Sequence, residues 1–94
     1  MNTNCEQLAK DYQKKHNGSL IFLNPKRPSG SWILGRYSGH WLNLTDFYYD
    51  VQTNTAIGKT KQDVKDWYKR STGNNCEIWN ISSGEHPPFK LVRD

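Results

Sequence analysis

Gly39-His40-Trp41-Leu42-Asn43-Leu44-Thr45-Asp46-Phe47-Tyr48-Tyr49-Asp50-Val51-Gln52 is the stretch whose reading decides the fold. Two runs of alternating, β-prone residues meet at Thr45-Asp46, the pattern of a hairpin. Asp46 suits the turn because its side chain bonds to nearby backbone. Side chains alternate faces along a strand, so His40, Leu42 and Leu44 share one face of the first arm, and Tyr48, Asp50 and Gln52 share one face of the second. A turn that sets residue 40 opposite residue 50 stands the imidazole and the carboxylate side by side. A slip of one residue would send them to opposite faces. The hairpin thus supplies a histidine together with a carboxylate to orient it.

Outward from this hairpin the chain alternates between helical and strand patterns. Residues 3–16 read as a helix: Thr3-Asn4-Cys5-Glu6 fits a capping box, and Cys5, Leu8, Ala9, Tyr12 and His16 recur at helical spacing. Asn17-Gly18 offers a left-handed stop. Residues 19–24 form a short apolar strand, 25–30 a basic, turn-rich loop, and 31–37 a second strand with Gly35 as a bulge. Beyond the hairpin, residues 53–59 read as a polar loop. Residues 60–70 read as a second helix capped by Thr60 and Asp63, with a thin apolar stripe of Val64, Trp67 and Tyr68. Residues 76–81 alternate as a strand, and 89–92 form a short closing strand. The order predicts an α+β domain over residues 1–94, an N-terminal helix packed on an antiparallel sheet with a second short helix.

Ninety-four residues, 34% hydrophobic and 13% aromatic, allow one small core in which Trp and Tyr bury much of the area. The first eighteen residues are polar and lack the apolar segment of a signal peptide. No apolar run approaches the ~20 residues needed to cross a bilayer, so the mature domain is expected to act away from the membrane. Cys5 and Cys76 stand 71 positions apart, which is no metal-binding spacing, and no cofactor motif is present. A single disulfide between them is the alternative in an oxidising compartment, but they read as two free thiols with different roles, Cys76 in the middle of a strand as core.

Cys5 falls in the first turn of its helix, where free N–H groups and the positive end of the helix dipole favour an anion. A cysteine so placed has its thiol pKa lowered. Its position on the buried stripe turns it toward the sheet. If it meets the hairpin, Cys5, His40 and Asp50 form a nucleophile, a general base/acid and an orienting carboxylate, with Gln52 as the third member under a different register. Trp41 and Gln52 are then candidates for shaping the substrate cleft. Each residue also has a plainer account: Cys5 as a small core residue, His40 as a strand-edge histidine bonded to backbone, the Trp and Tyr set as core. Gly39 beside His40 leaves room for a ligand to approach. His16 suits a helix C-terminus and His86 a loop.

The formal net charge of +4 favours acidic partners or nucleic acid. The Lys/Arg pairs are scattered, however, and a solvated surface accounts for them. Their functional reading is a groove for RNA in which Lys26, Arg27, Lys59 and Lys61 meet phosphate.

Taken in order, these residues resemble the papain-fold toxin domains of bacterial polymorphic toxin systems, among them contact-dependent inhibition effectors. The matching features are Asn4-Cys5 opening a helix, the strand start Gly39-His40-Trp41, the strand Tyr48-Tyr49-Asp50-Val51-Gln52, and the helix bearing Asp66-Trp67-Tyr68. The resemblance spans roughly residues 4–70. It implies a compact papain-like minimal domain with Cys5, His40 and Asp50 (or Gln52) as its active site. It further implies an effector domain cut from a larger secreted protein, delivered into the cytoplasm of a competing cell and blocked by a cognate immunity protein. One departure stands out: papain-like enzymes supply an oxyanion-hole glutamine before the nucleophile, and none of the residues ahead of Asn4 is Gln. The leading expectation is hydrolysis or deamidation of a target-cell substrate through Cys5. The alternatives are a toxin ribonuclease cleaving tRNA or other RNA, with His40 as acid/base, and a non-enzymatic phage or bacterial inhibitor protein.

Overall fold

A computed structural model describes residues 5–26 and 39–85. Helix α1 (Cys5–His16) is followed by strands β1 (Ser19–Pro25), β2 (His40–Leu44), β3 (Tyr48–Asp50) and β4 (Thr55–Gly58), helix α2 (Lys61–Thr72), strand β5 (Cys76–Asn80) and a 3-10 turn at Ile81–Ser83. The strands form one antiparallel sheet in the order β4-β3-β2-β1-β5. The expected α+β architecture, a first helix and a second helix on an antiparallel sheet, is what the chain adopts. The expected strands at 31–37 and 89–92, the Thr3 cap, His86 and Arg27 lie outside the described residues.

The two helices cover opposite faces of the sheet, which explains the continuous apolar run of β1. Leu20 and Phe22 pack with Ala9 of α1 and with Trp41. Ile21 and Leu23 pack with Val64 and Tyr68 of α2, together with Leu42, Tyr48 and Cys76. A strand buried on both sides cannot alternate apolar with polar, so SLIFL is read correctly only as a central strand. In β2 the same division sends Leu42 toward α2 and Trp41 toward α1. Asn43, fully buried between β2 and α1, donates from Nδ2 to the Ala9 carbonyl at 2.9 Å, a bond that seats the helix on the strand.

Local signals set the helix ends. Asn17 takes the left-handed conformation (φ 59°), and its N–H donates to the Gln13 carbonyl, closing α1. At α2 the Thr60 hydroxyl accepts from the Asp63 N–H (3.1 Å) while the Asp63 carboxylate accepts from the Thr60 N–H (3.2 Å), a complete capping box. Gly73, at φ 76°, ends the helix.

One expectation is corrected. Residues 53–59, read as a polar loop, contain β4, which pairs Thr55 with Asp50 and Gly58 with Tyr48. Ile57 is the one large apolar side chain in that strand, and it packs on the α2 cluster. A four-residue edge strand with one apolar residue leaves too little alternation to be seen in sequence. No helix among the described residues is long and apolar enough to cross a membrane.

Candidate active site

The hairpin register decides how His40 and Asp50 meet. Asn43 pairs with Tyr49 and Leu44 with Tyr48, so residue 50 falls opposite residue 42, not residue 40. The offset is two residues, an even number, and the two side chains therefore stay on the same face. They meet diagonally at one end of the sheet, where β2 begins and β3 ends, and His40 Nε2 donates to Asp50 Oδ1 at 2.9 Å. Gln52 lies past the end of β3 in an exposed turn, on the cleft wall. The residue bonded to His40 is Asp50.

Cys5 is the first residue of α1, on the opposite face of the sheet from the His40 ring. It reaches His40 around the sheet's end. Its sulfur is hydrogen-bonded to the His40 side chain and to the backbone N–H of Trp41. With Nε2 given to Asp50, the ring nitrogen left for sulfur is Nδ1. Cys5, His40 and Asp50 thus form one linear chain of contacts assembled from α1, β2 and β3.

The electrostatics follow from that chain. Burial alone would push the Cys5 thiol up; the hydrogen bond and charge of His40, joined by the Trp41 N–H, outweigh both burial and the negative charge of Asp50, and hold the thiol below its ordinary value of 9.0. For His40, burial works to lower the pKa, but its bonds to Asp50 and Cys5 and their negative charges raise it from 6.5 to about 9. Asp50 is 1% exposed. Its burial opposes ionisation and is overcome by His40, by the Thr53 hydroxyl and by the Gln52 backbone N–H, so its pKa stays below the ordinary carboxylate value. Both directions favour the imidazolium–thiolate form of the pair over the neutral one. Cys76 supplies the contrast: buried in the core without such partners, its thiol is pushed up to about 11. Both cysteines are free.

A cleft of about 420 Å³ opens beside His40 on the α2 face, lined by Gly39, His40, Asp50, Gln52 and Thr53 and walled by Trp67, Tyr68, Ser71 and Thr72 of α2. The Trp67 ring lies 5.9 Å from the His40 ring, centroid to centroid. Trp67 had only a core role in the sequence reading, because a stripe of Val64, Trp67 and Tyr68 looks the same whether its last turns face core or cleft. The closing turn of α2 reaches the cleft because α2 starts at the far end of the sheet and runs back toward β3's end.

The remaining candidates are placed elsewhere. The Trp41 ring packs on Phe22 (4.9 Å between centroids) in the α1-side core, so Trp41 shapes the site through its backbone N–H and not as a cleft wall. Gly39 lines the cleft, and its missing side chain also accommodates the core, since a Cβ there would overlap the Phe22 ring. Lys59 and Lys61 sit where β4 hands over to α2, at the end of the sheet away from Asp50. Ten residues of helix separate Lys61 from Ser71, about 15 Å. Lys26 follows β1 at the site's end but on the β5 side, its N–H bonded to the Asn75 carbonyl at 2.9 Å, and it is absent from the cleft wall. Among the described residues no Lys or Arg lines the cleft, and no group of three His, Cys, Asp or Glu side chains is placed to hold a metal ion. No family model, curated protein or solved structure matches this chain.

Proposed function

We propose that this chain is a cysteine-dependent hydrolase or deamidase acting on an amide. The observation that carries the reading is the continuous contact Cys5–His40–Asp50, with the thiol lowered and the imidazole raised by each other's company. In the reaction, the Cys5 thiolate adds to the amide carbonyl carbon and the C–N bond breaks. His40 gives its Nδ1 proton to the departing nitrogen, which leaves as an amine or, from a carboxamide side chain, as ammonia. A thioester at Cys5 remains. Water then attacks it as His40 takes a water proton, releasing the carboxylic acid and restoring the Cys5 thiolate and the His40 imidazolium. Asp50 keeps the ring oriented and compensates its charge throughout.

The cleft beside His40 and Asp50, which Cys5 does not line because it meets His40 from the α1 side, favours an amide over a phosphodiester. Its described wall is made of hydroxyl, amide and aromatic groups beside an ionised Asp50, and the lysines a phosphate would need stand elsewhere. The likeness to papain-fold toxin domains supplies the biological setting: an effector delivered into the cytoplasm of a competing bacterium, there modifying a target-cell protein, and neutralised by an immunity protein.

Expression of wild type, Cys5→Ala and His40→Ala in a bacterial host tests the reading. Growth arrest by wild type alone, with ribosomal and transfer RNA intact on a gel and amide-to-acid conversion in a host protein by mass spectrometry, is the expected result. Arrest preserved in Cys5→Ala would remove the nucleophile. Degraded RNA would point to the ribonuclease, and an inert wild type to a binding protein.

A further inference from the structure

The Asp50 carboxylate has two oxygens, and only one faces His40. Oδ1 receives the imidazole N–H, while Oδ2 receives the hydroxyl of Thr53 at 2.6 Å. Thr53 lies in the turn 51–54 between β3 and β4, where the Asn54 N–H donates to the Val51 carbonyl and Asn54 takes the left-handed conformation (φ 55°). That turn folds Thr53 back over the strand end it has just left. Thr55, the first residue of β4 and the partner of Asp50 in the register, brings its hydroxyl within 2.8 Å of Thr53 Oγ1. A hydroxyl carries one hydrogen. Thr53 gives its own to Asp50, so in the hydroxyl contact Thr55 is the donor, its hydrogen shared with the Thr53 carbonyl at 3.3 Å. The bonds run in one direction, Thr55 to Thr53 to Asp50, and the carboxylate is met from its other side by His40. Successive bonds of this kind polarise one another.

We infer that Thr53 is a positioning residue of this site, its hydroxyl fixing the plane of the Asp50 carboxylate so that His40 is held toward Cys5. Thr53 is exposed, so packing does not explain its geometry. Its hydroxyl has bulk water available and is nevertheless bound to the one buried carboxylate that the site uses. His40 and the Gln52 N–H also donate to this carboxylate, and the Thr53 hydroxyl adds a donor at Oδ2, the oxygen turned away from the imidazole, which further fixes its plane. The elements packed around Asp50 present few other titrating groups: α1 brings Cys5, β2 brings His40, α2 brings the Tyr68 phenol on the cleft wall, and β4 brings the uncharged Thr55. The inference rests on the Cys5–His40–Asp50 reading above.

The test is the rate of Cys5 alkylation by iodoacetamide as a function of pH, in wild type, Thr53→Val, Thr53→Ala and Thr53→Ser. A hydrogen bond to a charged group is worth enough that losing it moves the acid limb of the profile up by about one pH unit in the Val and Ala variants. Thr53→Ser restores the wild-type profile. The His40 ring protons, followed by NMR, shift their titration in the same two variants and not in the third. Superimposable profiles for all four proteins overturn the inference, as does a Ser variant that behaves like Val. A wild-type profile that rises only near the ordinary thiol value is a different failure, because it removes the activated cysteine on which the inference stands.

Discussion

His40 and Asp50 meet on a diagonal of the β2–β3 ladder, Nε2 to Oδ1 at 2.9 Å, with residue 42 and not residue 40 directly across from the aspartate. The diagonal suits a long ring better than direct opposition does, since neighbours two residues apart are within reach of large side chains. It also leaves Nδ1 facing the sheet's end, where α1 delivers its sulfur.

Asp50→Asn keeps the shape of the contact and removes the charge. The His40 titration followed by NMR should fall from about 9 toward its ordinary value of 6.5. Asp50→Ala, which strips both His40 and Thr53 of a buried partner, should cost about 3 kcal/mol in urea unfolding. A His40 titration unchanged in Asp50→Asn would dissociate the carboxylate from the imidazole.

The two thiols should differ sharply in reactivity. Brief iodoacetamide treatment near pH 6 should label Cys5 in the folded protein and leave Cys76 unmodified, since burial raises the latter to about 11. Peptide mass mapping reads the outcome. Equal labelling of both, or none at Cys5, would contradict the pairing of Cys5 with His40.

Stability should depend on pH with a sign set by each shift. The raised His40 contributes stability that is fully present below 6.5 and is lost as pH rises through about 9. The lowered Cys5 works the other way, contributing stability at high pH that is lost as pH falls through its folded pKa. The two oppose each other wherever pH lies both between 6.5 and 9 and above the folded Cys5 pKa, so the wild-type loss there should be shallower than His40 alone would give. Cys5→Ala removes the counterweight and should lose stability across that window, as measured by denaturant midpoints. Asp50, lowered, adds stability above 3.8 that disappears on further acidification.

Gly39→Ala should damage fold and site together. The new methyl would press into the Phe22 ring, and overpacking of this kind costs about 2 kcal/mol. Because Gly39 immediately precedes His40, the shift should also slow Cys5 alkylation. Thermal unfolding and alkylation of the same sample separate the two effects.

Charge reversal at Lys59 and Lys61 should leave activity within about twofold of wild type, since both lie a helix length from the cleft. Toxicity in the bacterial host is the readout. A large loss would return these lysines to the substrate surface and favour a nucleic-acid substrate.

Much of this arrangement was legible in the residues themselves. The parity of His40 and Asp50 holds in every hairpin register displaced by an even number, so their shared face needs only the alternation of a strand. The capping box at Thr60 and Asp63 and the apolar run of β1 are likewise local, because each rests on bonds or periodicities spanning a few residues. What tertiary structure alone decided is which objects those faces meet. No periodicity says that α1 packs on the Trp41 face, yet sends Cys5 around the end of β2 to the His40 ring. Nor does any say that α2 returns Trp67 to the cleft while carrying Lys61 away from it. Those outcomes depend on how two helices share the two sides of one sheet, and that is settled by the packing of residues distant in the chain.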